Sequence, residues 1–449
     1  MEIHLLDVGT REYGDSIIVH NDDKRILIDG AHKGDSALLK KQMKAIFKEG
    51  GPYHFDLLIV THLHDDHIGC LPELVKNGDI TAAKCLLMDP GYRWKEGEHD
   101  SVLSNNALVD ALLEEDHSFL SDSELEDFID GSGKLVDRYS EMIAKLKTDS
   151  DKVMMFKGVD AHNYKPLETE FSSLGLKILG PTKKHLQITK DTLLGLVDTL
   201  TDLVESSSFV DSAANNMDRY RKLYSGGVTD SAFAMDAVKN KGSINDESIV
   251  LTFKSKGANS WSAFLAGDMQ FAVPEVEGLD GEMKKLLDKA DENTYDFIKT
   301  SHHTSYNGLS EEMLDKWIQQ GTEFYGHSGG LYDAHHPEPD VLDALKDRKD
   351  NITFVRTDRN GLIKVANDEN GVLSLWVTKG EVNTFTKNKD KPRSDDAALV
   401  PEGAEEKNPA EIKAGFLSQA DASHIQFSAV IPENRNVRII IEVDGEKKN

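Results

Sequence analysis

Three histidines and two aspartates fall within six residues in His62-Leu63-His64-Asp65-Asp66-His67. Imidazole nitrogens and carboxylate oxygens at His-x-His-x-Asp-His spacing make a borderline ligand set that suits zinc, manganese or iron. A regular helix or strand cannot turn all of these side chains toward one point. A loop can, and Gly69 just beyond lets the backbone bend tightly. The preceding apolar run, Phe55-Asp56-Leu57-Leu58-Ile59-Val60, reads as a buried strand. The cluster therefore sits on a loop at a strand's carboxyl end, where α/β sheets gather their chemistry.

A metal pair needs donors from other strand ends as well. Asp268 follows the strand-like Ala263–Ala266 in Gly267-Asp268. Its two carboxylate oxygens can each take one ion, or the residue can simply cap a turn. His302 and His303 follow Phe297–Thr300; one can ligate while the other hydrogen-bonds to substrate. Asp15 and Asp29 either brace the metal loop or cap turns. Gly9, Gly14 and Gly30 lack the spacing of a phosphate-cradling loop and read as turn residues. Glu114-Glu115-Asp116 reads as a solvated helix face, and His335-His336-Pro337 as a loop able to touch substrate. Cys70 is either a core residue or a neighbour of the metal loop.

The 449 residues carry a formal net charge of -27, with 39% hydrophobic and 29% charged residues, as in soluble globular proteins. Such an acidic balance disfavours a generic grip on nucleic acid, although bound divalent ions reverse the local field in a cleft. Two cysteines are too few for a disulfide framework. No apolar run reaches the roughly 18–20 residues that span a bilayer, and Met1–Asp7 lacks the regions of a signal peptide. The expectation is a cytoplasmic protein with no membrane partner.

Around these residues the pattern alternates. Strands are expected at Glu2–Val8, Asp15–His20, Lys24–Ile28, 55–60, Cys85–Met88, Leu174–Leu179, Ser248–Phe253, Ala263–Ala266, Phe297–Thr300, Glu323–Tyr325, Ile352–Val355, Gly361–Val365 and Val372–Val377. Helical spacing marks Ser36–Phe47 and about Leu71–Asn77. Two charged helical stretches, about 101–148 and 184–238, read as insertions into one domain spanning 1–385. Residues 386–414 have a linker composition. Residues 415–449 form a tail or small β element, with strand character at Ile425–Ile431 and Val437–Val443.

The order of these motifs resembles the metallo-β-lactamase fold superfamily, and within it the soluble hydrolase domain of DNA-uptake competence proteins. Asp7-Val8-Gly9 with Gly14-Asp15-Ser16 resembles that group's Asp-Val-Gly-x-Gly-Asp-Ser opening, lengthened here. Asn245-Asp246-Glu247-Ser248 resembles its Asn-x-x-Ser element, and His302-His303-Thr304-Ser305 its His-His-Gly-Ser motif, with threonine in place of glycine. His336-Pro337 and Arg356-Thr357-Asp358-Arg359-Asn360-Gly361 are weaker matches. The similarity spans about residues 3–380 without the insertions. The resemblance implies a four-layer αββα sandwich, an α/β fold, with two divalent metal ions, zinc or manganese, at one sheet edge. Carried over by position, His62 and His64 hold the first ion, Asp66 and His67 the second, and Asp268 bridges. One of His302 and His303 completes the second site. His302 is assigned here as the ligand and His303, with Asp66, as catalytic: Asp66 orients the attacking water and His303 donates to the developing anion. Many members carry one more histidine before the Gly-Asp motif; His162, His185, Asn245 or a water are the candidates for its place.

The expected activity is metal-dependent hydrolysis by a metal-activated water, on a phosphodiester, as a nuclease or cyclic-nucleotide phosphodiesterase. The acidic charge favours a small or single-stranded nucleic-acid substrate. The same metal pair also serves lactam, lactone or thioester hydrolysis. A third reading is a regulatory or defence-system component that binds a protein partner through its insertions or tail.

Overall fold

The computed structural model describes residues 1–9, 13–94, 104–114, 121–160, 162–205, 215–224, 244–331, 333, 335–387 and 428–430. Its strands are β1 (Glu2–Leu5), β2 (Ile17–His20), β3 (Arg25–Ile28), β4 (Tyr53–Val60), β5 (Ile80–Met88), β6 (Lys152–Phe156), β7 (Lys177–Gly180), β8 (Val250–Lys254), β9 (Ser262–Leu265), β10 (Phe297–Lys299), β11 (Phe324–His327), β12 (Thr353–Arg356), β13 (Ile363–Asn367), β14 (Leu373–Val377) and β15 (Ser428–Val430). They build two sheets, one ordered β15-β14-β13-β1-β2-β3-β4-β5-β6 and the other β12-β11-β10-β9-β8-β7. β3 to β6 run parallel, as do β9 to β12.

Side-chain alternation along the second sheet fixes the layers. Ala263, Leu265, Phe297, Phe324 and Val355 join the large core shared with the first sheet. Their neighbours Phe264, Ile298, Tyr325 and Phe354 face the other way, into a separate apolar cluster. Leu286, Met313, Leu314, Trp317, Val341 and Leu345, from helices Asp280–Asp291, Glu311–Gln319 and Pro339–Lys346, close that cluster. Leu39 and Met43 of helix Ser36–Phe47 and Leu74 of helix Leu71–Lys76 pack into the large core. The chain is a layered α/β sandwich.

Several expected strands differ in extent, among them Leu174–Leu179, observed as Lys177–Gly180. The first strand ends at Leu5 rather than Val8, and the fifth begins at Ile80 rather than Cys85. The added first half of β5 pairs with Tyr53–Phe55 of β4. β6 is a strand that the sequence pattern does not predict: Lys152-Val153-Met154-Met155-Phe156 carries no turn signal, and its pairing with β5 makes it one. The stretch expected as a first insertion contains helices Ser104–Leu113, Asp122–Gly133 and Leu135–Asp149. The second contains Lys183–Glu205 and Asn216–Tyr224. β15 pairs with β14, while most of 386–414 and all of 437–443 lie outside the described residues. Among the described residues no helix is long and apolar enough to cross a membrane.

Helix Ser104–Leu113 carries Asp110 into the interior, where one carboxylate oxygen accepts from the Trp94 indole N–H at 3.3 Å. Burial pushes this carboxyl up to about 7, against the pull of Arg93. The folded chain therefore keeps a proton that the unfolded chain releases near pH 4. That contribution is complete in acid and is lost as pH rises toward and through about 7. Asp110→Asn should remove the loss. Between pH 5 and 8, urea unfolding should show the parent losing about 2–3 kcal/mol relative to the variant; a gap that does not change with pH would contradict this.

Candidate metal centre

The carboxyl ends of β4, β9 and β10 open onto one buried point. Past β4 the chain enters the short helix Asp65–Ile68, which points Asp66 and His67 inward. Gly69 has φ 21°, and a β-carbon there would lie 1.5 Å from the Ala31 carbonyl oxygen, so only glycine lets the loop fold so tightly onto the segment after β3. Past β9, Gly267 at φ 54° turns Asp268 inward.

His67 Nε2 lies 3.0 Å from both Asp66 Oδ2 and Asp268 Oδ2. His303 Nε2 lies 3.1 Å from Asp66 Oδ2 and 2.9 Å from Asp268 Oδ2. The four ligand atoms lie within 4.8 Å of one another, and so do those of a second group, His62, His64 and Asp66. Asp66 is common to both. All of these side chains are buried.

The hydrogen bonds on the far sides of the rings test whether this set fits cations. The Nδ1–H of His303 donates to the Ser328 carbonyl at 2.9 Å, leaving Nε2 to the cluster. His67 Nδ1 sits 2.8 Å from Asp29 Oδ2, the carboxylate–histidine arrangement that orients metal ligands. His64 Nε2–H donates to the Leu113 carbonyl at 3.2 Å, which gives Nδ1 the lone pair. His62 Nδ1 is 3.2 Å from both the Thr61 and Ser248 hydroxyls, while its Nε2 has no hydrogen-bond partner among the described residues. Donor–donor spacings near 3 Å suit a cation about 2.0–2.2 Å from each atom. The residues fit a pair of divalent ions.

Electrostatics agree. Burial opposes charge on Asp66 and Asp268, yet the imidazoles of His67 and His303 hold both carboxyls well below the usual range, with Lys299 adding to the effect at Asp268. Burial likewise opposes charge on His67 and His303, and the carboxylates hold both well above the usual histidine range. His62 is pushed well below it by burial and by His67. Without metal, protons on His67 and His303 balance the two carboxylates, in the place that divalent ions would take.

Of the expected residues, His62, His64, Asp66, His67, Asp268 and His303 converge. His302 does not, and its assignment as the ligand is corrected. His302, His303 and Thr304 have φ of 46°, 46° and 66°. This left-handed run sends His303 into the cluster and turns His302 away, where Nε2 lies 3.0 Å from Asn245 Nδ2 and Nδ1 2.5 Å from Asn307 Oδ1. Asn245 thus serves His302. His185 gives its Nε2–H to the Asp246 carbonyl at 2.7 Å, and His162 is exposed, so neither supplies a further ligand. Cys70 is buried, with its thiol 2.8 Å from the Gly30 carbonyl and its pKa pushed well up by burial.

Several contributors escape a reading of the sequence. Lys299 is fully buried beneath Asp268, 3.5 Å from Oδ1 and ion-paired to Asp15. Ser248 accepts from the Asp268 N–H at 3.0 Å while touching His62. Glu114 is buried, not on a solvated face: it pairs with Arg93 at 2.7 Å and accepts from the Asp65 N–H at 3.0 Å. Arg93 donates to the Leu63 carbonyl, and Arg138 holds Asp65 Oδ1 at 2.7 Å. Arg93 and the segment from Ser104 to Asp149 thus clamp the histidine loop. A buried charged pair has no local sequence signature, because each partner looks like a surface residue until the fold joins them.

Residues 9–133 match the family described as the metallo-beta-lactamase superfamily. Over that stretch the chain is similar to the metallo-β-lactamase superfamily. A curated relative, the coenzyme F(420)H(2) oxidase of Methanocaldococcus jannaschii, is 38% identical over 60 residues, which is 13% of this chain. The chain spans only 14% of that relative's length. Among solved structures, a subclass B3 metallo-beta-lactamase from a soil metagenome library aligns over 71% of this chain and 81% of its own, at 10% identity and TM-score 0.29. A beta-lactamase from Chitinophaga pinensis aligns over 77% and 89%, at 13% identity and TM-score 0.28.

The two neighbouring histidines are separable by experiment. His303→Ala should lower the cobalt or zinc content of the purified chain, whereas His302→Ala should leave it at the parent's level. Equal losses from both variants would contradict the assignment of His303.

Proposed function

We propose that the chain is a metal-dependent hydrolase acting on a phosphodiester, as a nuclease or cyclic-nucleotide phosphodiesterase. The observation that carries this reading is the pair of adjoining ligand groups that share Asp66. Two close divalent ions, when bound, supply Lewis acidity and an activated water for in-line displacement at phosphorus. Zinc or manganese suits the nitrogen and oxygen donors.

The chain's own residues frame such a substrate. Lys299 and Asp15 fix the Asp268 side of the site from behind, and Asp29 fixes His67. Beside His303, the ring of His336 lies 5.8 Å away and that of Tyr13 5.3 Å away, two side chains of a type that can donate to a phosphoryl group gathering charge. Tyr306, on the loop that follows His302–Ser305, is 51% exposed and offers an aromatic face to a base. The competence-type motifs at Asp7–Ser16, Asn245–Ser248 and His302–Ser305 support the same substrate class. A small or single-stranded substrate accords with the net charge of -27.

With manganese or zinc, the parent should hydrolyse bis-p-nitrophenyl phosphate, and a His64→Ala, Asp66→Ala double variant should lose at least about a hundredfold in rate, the scale expected when catalytic-metal ligands are removed. Equal rates would remove the proposal. Turnover of a lactam, lactone or thioester by a parent inactive on phosphodiesters would reassign the substrate.

A further inference from the structure

A second cluster of metal-ligating side chains, Glu2, His4 and His20, lies on β1 and β2, apart from the residues of this centre. Register places Glu2 of β1 directly across from His20 of β2, and His4 is two residues further along the same face of β1. The three side chains meet. His4 Nε2 is 3.1 Å from His20 Nε2 and 3.3 Å from Glu2 Oε2, and His20 Nε2 is 3.6 Å from the same oxygen. We propose that Glu2, His4 and His20 form a second, independent site for a zinc-like divalent cation, which ties β1 to β2.

A tetrahedral cation about 2.0–2.1 Å from its ligands places those ligands about 3.3–3.4 Å apart. The three observed separations, 3.1, 3.3 and 3.6 Å, bracket that edge. Two imidazoles and a carboxylate are also the donor chemistry of zinc sites. The contact between the two Nε2 atoms needs something between them: one proton at most, or a shared cation. At pH 7.5 an ordinary imidazole is mostly neutral, so a metal competes with that one bridging proton.

The site is supported and reachable. The His4 side chain is 3% exposed, that of His20 17% and that of Glu2 38%, so a cation enters from the Glu2 side and a water completes four-coordination. The Phe47 ring covers His20 at 5.6 Å, with Arg25 stacked on that ring at 4.2 Å. Lys364 Nζ, 3.9 Å from Glu2 Oε2, is the nearest opposing charge. It also lies over the Trp376 ring at 4.4 Å, which gives it another place to rest when a cation takes the carboxylate.

The test uses the full chain carrying Asp66→Ala and Asp268→Ala, stripped with chelator and titrated with Co²⁺ alone. The expected result is about one ion per chain, with the visible absorption of a tetrahedral nitrogen–oxygen site. Adding His20→Gln should weaken that binding at least tenfold. In the otherwise intact chain, His20→Gln should lower zinc content by about one ion per chain, with unchanged circular dichroism and unchanged phosphodiester hydrolysis. This second measurement decides the matter if the double variant fails to fold. Absence of cobalt binding in the folded double variant, or equal binding with and without His20, would overturn the proposal. Neither result depends on the reaction assigned to the main centre.

Discussion

Two carboxylates and two imidazoles share a pocket in which none of them meets bulk water. Asp66 and His67 lie more than two hundred residues from Asp268 and His303, and each imidazole Nε2 stands about 3 Å from both carboxylates. Buried like charges repel and buried unlike charges still lose their hydration. Such a cluster survives only where counter-charges are close and geometry is held from outside. Protons supply part of the compensation in the metal-free chain, and divalent cations would supply more.

Much of the surrounding structure serves that demand. β4 of one sheet and β9 and β10 of the other deliver their loops together. Behind the ligands, Asp29, Ser328, Leu113, Thr61 and Ser248 engage the outward ring nitrogens and choose which atom faces the pocket. Lys299 lies under Asp268 as a fixed positive charge. The helices inserted after β5 add a layer on the outside. Glu114 and Arg138 from this segment, with Arg93 ahead of it, grip the backbone of Asp65, Gly69 and Leu63, so a segment that reads as an insertion in sequence acts as a brace for the histidine loop.

The legible parts of the site were those with local signatures. The histidine loop announced itself by composition, and Gly267-Asp268 and His302-His303 by their place after apolar strands. The choice between His302 and His303 was not legible, because it turns on three consecutive left-handed residues, and Thr304 gives no warning of such a conformation where glycine would. Lys299 and Glu114 were invisible for a different reason: a charge is buried only when its partner arrives from a distant element, and the sequence near Glu114 carries only neighbouring acids. The strands with apolar alternation were readable, whereas β6 needed its neighbour β5 to become one.

The account rests on cations occupying the pocket. Crystals of the full chain grown with zinc, with anomalous scattering recorded at the zinc edge, test it most directly. The expected result is one peak among Asp66, His67, Asp268 and His303 and a second beside His62 and His64. A map with protein density for all six side chains and no anomalous peak among them would contradict it.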